Sequence, residues 1–168
     1  MKKLFLLVLL GLFVCVVSRI ADERLEFARL NKVSASVSDA LPVVLLSTDE
    51  ESFEMHLYDN ETTRQVLAQL PQKIIMTRWG RGGYVGTLAK QVKEPQDKSL
   101  KRRAFFAGEV VLRLKNNTLF LLFGPTPASL TVDVPMLTSA GVAVGRLDSF
   151  ETLDHLLGVT EFSIQIKQ

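Results

Sequence analysis

Groups suited to catalysis or metal binding are thinly spread over these 168 residues. The single cysteine, Cys15, stands in an apolar N-terminal run, so the remainder has no thiol for nucleophilic attack, a disulfide or a thiolate metal site. His56 falls on the polar phase of an alternating stretch, and His155 sits beside Asp154 on a helical one. Two histidines without ligand-like spacing specify no metal centre, and neither a metal nor a cofactor is implied. No Gly-x-Ser-x-Gly occurs, so the nucleophile elbow of a serine hydrolase has no support. GRGGYVG at residues 80–86 lacks the Lys-Ser or Lys-Thr of a phosphate loop and leads into a strand pattern, not a helix. It reads as a hairpin turn whose glycines let a ligand approach the backbone. Around it gather an arginine and aromatic set, Arg78, Trp79, Arg81 and Tyr84, with Phe123 supplied from another strand. These five are the candidate ligand-binding residues, polar and aromatic groups at the rim of a groove; no catalytic residue is assigned.

A second cluster is basic. Lys98, Lys101, Arg102 and Arg103 follow Lys90 and Lys93, opposed locally by Glu94 and Asp97 alone. It reads as a solvated loop, with contact to anionic headgroups at a membrane surface as the functional alternative. Aromatic residues are not interleaved for base stacking, apart from Phe105 and Phe106 at its end, so no nucleic-acid partner is expected. The overall charge agrees. The formal net charge of +2 equals Lys2 plus Lys3, because residues 1–18 hold no acid. Without that segment, eighteen basic residues face eighteen acidic ones and no net attraction to a polyanion remains. The balance is nonetheless uneven: residues 22–61 hold ten acids against three bases, and residues 73–103 hold nine bases against two acids.

Residues 1–18, MKKLFLLVLLGLFVCVVS, have a basic start and a fourteen-residue apolar run from position 4 to 17, the pattern of a signal peptide. As a helix the run spans about 21 Å, short of the ~30 Å hydrocarbon core of a bilayer. Val16 and Ser18 favour a cut after Ser18; an uncleaved anchor in the inner membrane and lipidation at Cys15 are the alternatives. The expected location is periplasmic or secreted. Residues 19–40 read as a short helix and a small, polar linker, and residues 41–168 as the folded domain.

In that domain the apolar periodicity is mostly two. Residues 42–48 and 53–57 flank the turn Asp49-Glu50-Glu51, residues 73–79 and 84–88 flank the glycine turn, and residues 109–115 and 119–123 flank Asn116-Asn117, giving three hairpins. Asp59 or Asn60 caps a short helix carrying Val66, Leu67 and Leu70. Residues 90–103 form a charged loop, 142–147 a strand, and Ser149 starts a second helix through Leu153 and Leu156 to Gly158; Phe162, Ile164 and Ile166 end the chain as a strand. Eight strands and two short helices predict a mainly β, closed antiparallel barrel, since closure removes exposed strand edges.

Three stretches, YDNETTRQVLAQLP at 58–71, GEVVLRLKNNTLFLLFGPTP at 108–127 and VGRLD at 144–148, resemble the bacterial cyclophilin-like domain family, small proteins of unclear function. The resemblance covers roughly residues 42–158 and implies an eight-stranded barrel closed by two helices. Prolyl isomerases of this fold hold the substrate proline in an apolar pocket and aim an arginine at the amide nitrogen, weakening the conjugation behind the ~18–20 kcal/mol rotation barrier. Their signature couples Phe, His and Arg closely in sequence. Here no histidine lies within ten residues of Arg78, Arg81 or Arg113. The first expectation is therefore an exported, non-enzymatic module that binds a peptide or small ligand. A degenerate or unusual peptidyl-prolyl isomerase, with Arg78 beside Trp79 and Phe105, Phe106 and Phe123 from other strands, is the second. A membrane-surface domain acting through the basic loop is the third.

Overall fold

The structure, a computed structural model, describes residues 2–30, 40–129, 133–156 and 159–167. Nine strands follow one another as β1 (Val44–Ser47), β2 (Ser52–Leu57), β3 (Gln72–Arg78), β4 (Gly83–Thr87), β5 (Lys101–Ala104), β6 (Glu109–Arg113), β7 (Thr118–Leu122), β8 (Met136–Leu147) and β9 (Val159–Ile166). They pair in the order β2-β1-β9-β3-β4-β7-β6-β8-β5, and a further ladder joins β2 to β8. That ladder, Met55↔Leu147 to Leu57↔Gly145, closes eight strands into a ring and leaves β5 outside it as an extra strand on β8. All pairs are antiparallel, and the expected eight-stranded barrel is present.

Burial follows from the number of covered faces. In β3, buried Ile74 and Met76 alternate with exposed Lys73 and Ile75, because one face meets the barrel interior and the other meets water. β6 and β7 read as continuous apolar runs, EVVLR and TLFLL, because both of their faces are covered. Val110, Leu112, Leu119 and Leu121 point into the barrel core with Tyr84 and Phe162. Val111, Phe120 and Leu122 join an outer layer with Tyr58, Phe105 and Leu137. The fold is thus a barrel with a second apolar layer on one flank. Gly82 explains how that flank stays compact: its backbone carbonyl accepts from the N–H groups of Phe123 (2.8 Å) and Gly124 (3.1 Å). A Cβ on Gly82 would lie 2.0 Å from the Gly124 carbonyl carbon, so two loop backbones touch where no side chain fits.

Two helices frame the barrel. The long helix α1 (Lys2–Leu30) runs without a break through the expected boundary at residue 18. Its exposed apolar residues from Leu7 to Val17 give way to a docked segment in which Ile20, Glu23, Phe27 and Leu30, spaced three to four apart, are partly or fully buried. Leu30 fills a socket with Ala104 and Met136. Among the described residues no helix is long and apolar enough to cross a membrane. Of the expected short helix and linker at residues 19–40, residues 31–39 lie outside the described residues. Helix α2 (Glu61–Leu67) starts as its cap predicts, with the Asn60 side chain accepting from the Thr63 N–H at 2.9 Å.

Three expectations change in detail. The end of the expected charged loop is strand: Lys101, Arg102 and Arg103 belong to β5, paired with β8. β8 itself starts at Met136, six residues ahead of the apolar run at 142–147, and this extension is what β5 pairs with. The second helix is a single 3-10 turn, Glu151–His155, with Phe150 at its N-cap and no side-chain cap bond from Ser149; Leu157 and Gly158 lie outside the described residues.

Candidate functional site

β8 carries two strands on one edge. β2 pairs with it at residues 145–147, then leaves through Tyr58 into α2, and β5 arrives at residues 136–142. Between the departing and the arriving strand a notch of about 630 Å³ remains, a size suited to a small ligand or a few peptide residues. Val142 and Ala143 of β8 form its floor, Tyr58, Asp59 and Asn60 one wall, and Ser99 to Arg103 the other. Glu26 and Arg29 of α1 add an outer rim.

The walls are fixed from behind by one carboxylate. Glu109, at the start of β6, is fully buried. Its Oε1 accepts from Arg102 Nη2 at 2.6 Å and from the Tyr58 hydroxyl at 3.0 Å, and its Oε2 accepts from the Phe106 N–H at 2.8 Å. A buried charge is tolerated when paired and hydrogen-bonded, and this one has a guanidinium, a phenol and an amide. Arg102, with a side chain 12% exposed, also lies over the Phe105 ring at 4.9 Å. Asn60 completes the wall by donating to the Ala143 carbonyl at 3.1 Å while it caps α2. Burial, and next the Glu109 charge, push the Tyr58 phenol above its ordinary range, so it stays a neutral donor.

That shift carries a prediction with a definite sign. The folded state holds a proton that an unfolded chain releases near pH ~10, so the contribution is complete below pH ~10 and lost above it. Tyr58→Phe is expected to destabilise by about 1–2 kcal/mol at pH 8, one donor to a buried carboxylate being lost. Urea denaturation of both proteins from pH 8 to 11 checks this: the gap narrows above pH 10, and a gap independent of pH contradicts the assignment.

The five residues named from sequence are not gathered at the notch, and they divide between two places. Arg78 donates to the carbonyls of Gly80 (3.2 Å), Arg81 (2.6 Å) and Leu153 (3.2 Å), and its guanidinium lies over Phe123 (4.7 Å) and Tyr84 (5.4 Å). Tyr84 is fully buried in the barrel core, its hydroxyl on the Leu156 carbonyl. Arg81 is exposed in the turn, and Phe123 is half-buried against the core. Arg78, Tyr84 and Phe123 therefore tie the end of β3 to the 3-10 turn. Trp79 goes to the other side, against Phe120 in the outer layer, with ring centroids 5.1 Å apart. There it lines a shallower groove with Val85, Phe120 and Pro127, where the Arg113 guanidinium lies 5.2 Å over the Phe120 ring.

The expected basic loop is largely neutralised. Lys101 pairs with Glu94 (2.7 Å), Arg102 with Glu109 (2.6 Å) and Arg103 with Asp22 of α1 (2.7 Å). The last pair joins the acid-rich and base-rich halves of the sequence in space. Glu54, His56 and Asp148 also approach one another on the barrel surface, His56 Nε2 standing 2.9 Å from Asp148 Oδ2. Lys167 Nζ occupies the Glu54 carboxylate, so the group reads as an ion pair beside a hydrogen-bonded His56 and Asp148.

Tyr58 and Glu109 were not singled out from sequence, Asn60 was named only as a helix cap, and Arg102 only as part of the basic cluster. One signal was available. Glu109 opens a strand whose next three residues are apolar, and an acid in a strand covered on both faces requires a buried partner.

A protein-family model described as the cyclophilin-like family matches residues 46–165. No curated protein matches the chain. The solution structure of a hypothetical protein from Archaeoglobus fulgidus is similar in fold, with a TM-score of 0.63 and 22% identity over 80% of this chain and 100% of that one. The family match runs from β1 to β9 and so takes in the whole ring, the buried Glu109 and the cap of α2: the chain belongs to the cyclophilin-like family.

Proposed function

We propose that the protein is an exported, non-enzymatic binding module whose ligand, a short peptide or small molecule, sits in the notch between β2 and β5. One observation carries the reading: the buried Glu109 clamp holds Tyr58 and Arg102 as rigid walls of a 630 Å³ recess before any ligand arrives. Preorganised walls lower the ordering cost of binding. Export rests on the basic start and apolar run of residues 1–18. Lys101, Arg102 and Arg103 line the notch, which favours a ligand held in that recess over a contact with a flat headgroup surface.

The second reading, a prolyl isomerase, is favoured by the other groove, where Arg113 overhangs an apolar floor of Phe120, Val85 and Trp79. A tetrapeptide series containing proline separates the two. Amide shift changes on titration are expected at residues 58–60, 99–103 and 140–143, with no acceleration of proline isomerisation. Shifts confined to Trp79, Phe120 and Ala128, with turnover that disappears in Arg113→Ala, would replace the binding module by an enzyme.

A further inference from the structure

Resting on the notch reading, the charges around that recess point to the chemistry of its occupant. The lining residues carry four cations, Arg29, Lys101, Arg102 and Arg103, against two acids, Glu26 and Asp59. Both acids are already engaged: Asp59 accepts from Arg64 at 2.6 Å, and Glu26 accepts from Arg29 at 3.0 Å and from the Arg103 N–H at 3.4 Å. The acids paired with the other cations are not part of the lining: Glu109 is buried beneath it, and Asp22 and Glu94 are exposed outside it. Each guanidinium has five donors, more than these single pairs use. Arg103 shows the surplus directly: its Nη2 is on Asp22, while its Nε–H is buried and meets no acceptor. The floor, Val142 and Ala143 with Leu100 beside it, is apolar.

Donors at the rim over an apolar floor fit an anion with an apolar body better than a cationic one. We propose that the notch takes a carboxylate, either the free C-terminus of a peptide or a small organic acid, its charge toward Arg29 and Arg103 and its apolar part on β8. Helix α1 then belongs to the site as well as to the fold, because Arg29 lies on it and Leu30 and Asp22 seat it on β5. Arg29 is the cleaner residue to change, its side chain being 73% exposed, whereas Arg103 also anchors the helix.

Calorimetry on the full chain tests this with three probes: N-acetyl-Ala-Phe with a free carboxylate, the same dipeptide with a C-terminal amide, and phenylacetate. The free acid is expected to bind about tenfold more tightly than the amide, an advantage that shrinks in Arg29→Gln and as salt rises from about 0.05 to 0.5 M. Binding of phenylacetate as well assigns a small acid; binding of the dipeptide acid alone assigns a peptide end. Equal affinity for acid and amide overturns the carboxylate proposal, and so does absence of binding by both acids. If the equal binding is lost when the notch is narrowed by Ala140→Trp, the notch remains the site and only the ligand class falls.

Discussion

Glu109→Leu is expected to destabilise the protein by about 3–5 kcal/mol, the cost of breaking a buried pair while its cation stays behind. Three donors lose their acceptor together: the Arg102 guanidinium, the Tyr58 hydroxyl and the Phe106 N–H. The hydroxyl and the amide lie under the outer layer, where water does not replace the carboxylate easily. Arg102 is anchored at its far end by its place in β5 and by the Phe105 ring, so it cannot swing into solvent without losing those contacts. The pair itself is not a source of large net stability, since desolvating two charges offsets their attraction. Arg102→Met combined with Glu109→Leu is therefore expected to recover most of the loss, although it empties one wall of the notch. Urea denaturation of the two single variants and the double variant measures this. A Glu109→Leu protein within about 1 kcal/mol of wild type would mean that the clamp is not what holds the walls.

The physical reason for that clamp also explains what the sequence shows and what it hides. Strands with one wet face alternate, as Ile74 and Met76 do in β3, and strands with two dry faces read as apolar runs, as in β6 and β7. Both patterns are local, so the three hairpins and the cap of α2 are legible. β5 is not, because KRRA has neither pattern: it is an added strand at the sheet end, and its arginines are neutralised by residues from β6 and α1. Glu109 lies seven residues beyond Arg102, but Asp22 lies 81 residues from Arg103, a pairing that only the fold reveals. Trp79 and Tyr84 flank the same glycine turn and read as one group. The Arg78↔Tyr84 pairing turns Tyr84 into the barrel, while Trp79, beyond the paired strand, joins the outer layer. The acid-rich residues 22–61 and the base-rich residues 73–103 meet in the Arg103–Asp22 pair that seats α1 on β5.

The second large effect concerns ligand binding. Ala140 lies on β8, lines the notch and is exposed, so a larger side chain there enters the recess without displacing the core. An indole there would take up part of the 630 Å³ recess and would replace no member of the Glu109 clamp. Ala140→Trp is therefore expected to keep the unfolding midpoint of the wild type, because exposed substitutions away from special features stay within ±0.5 kcal/mol, and to weaken ligand binding by at least about tenfold. The comparison of wild type and Ala140→Trp by calorimetry, with the same peptide series and with Tm measured on the same samples, is the most direct test of the notch as the binding site. Loss of affinity at unchanged Tm is the predicted result; unchanged affinity in a protein whose notch is narrowed would contradict it.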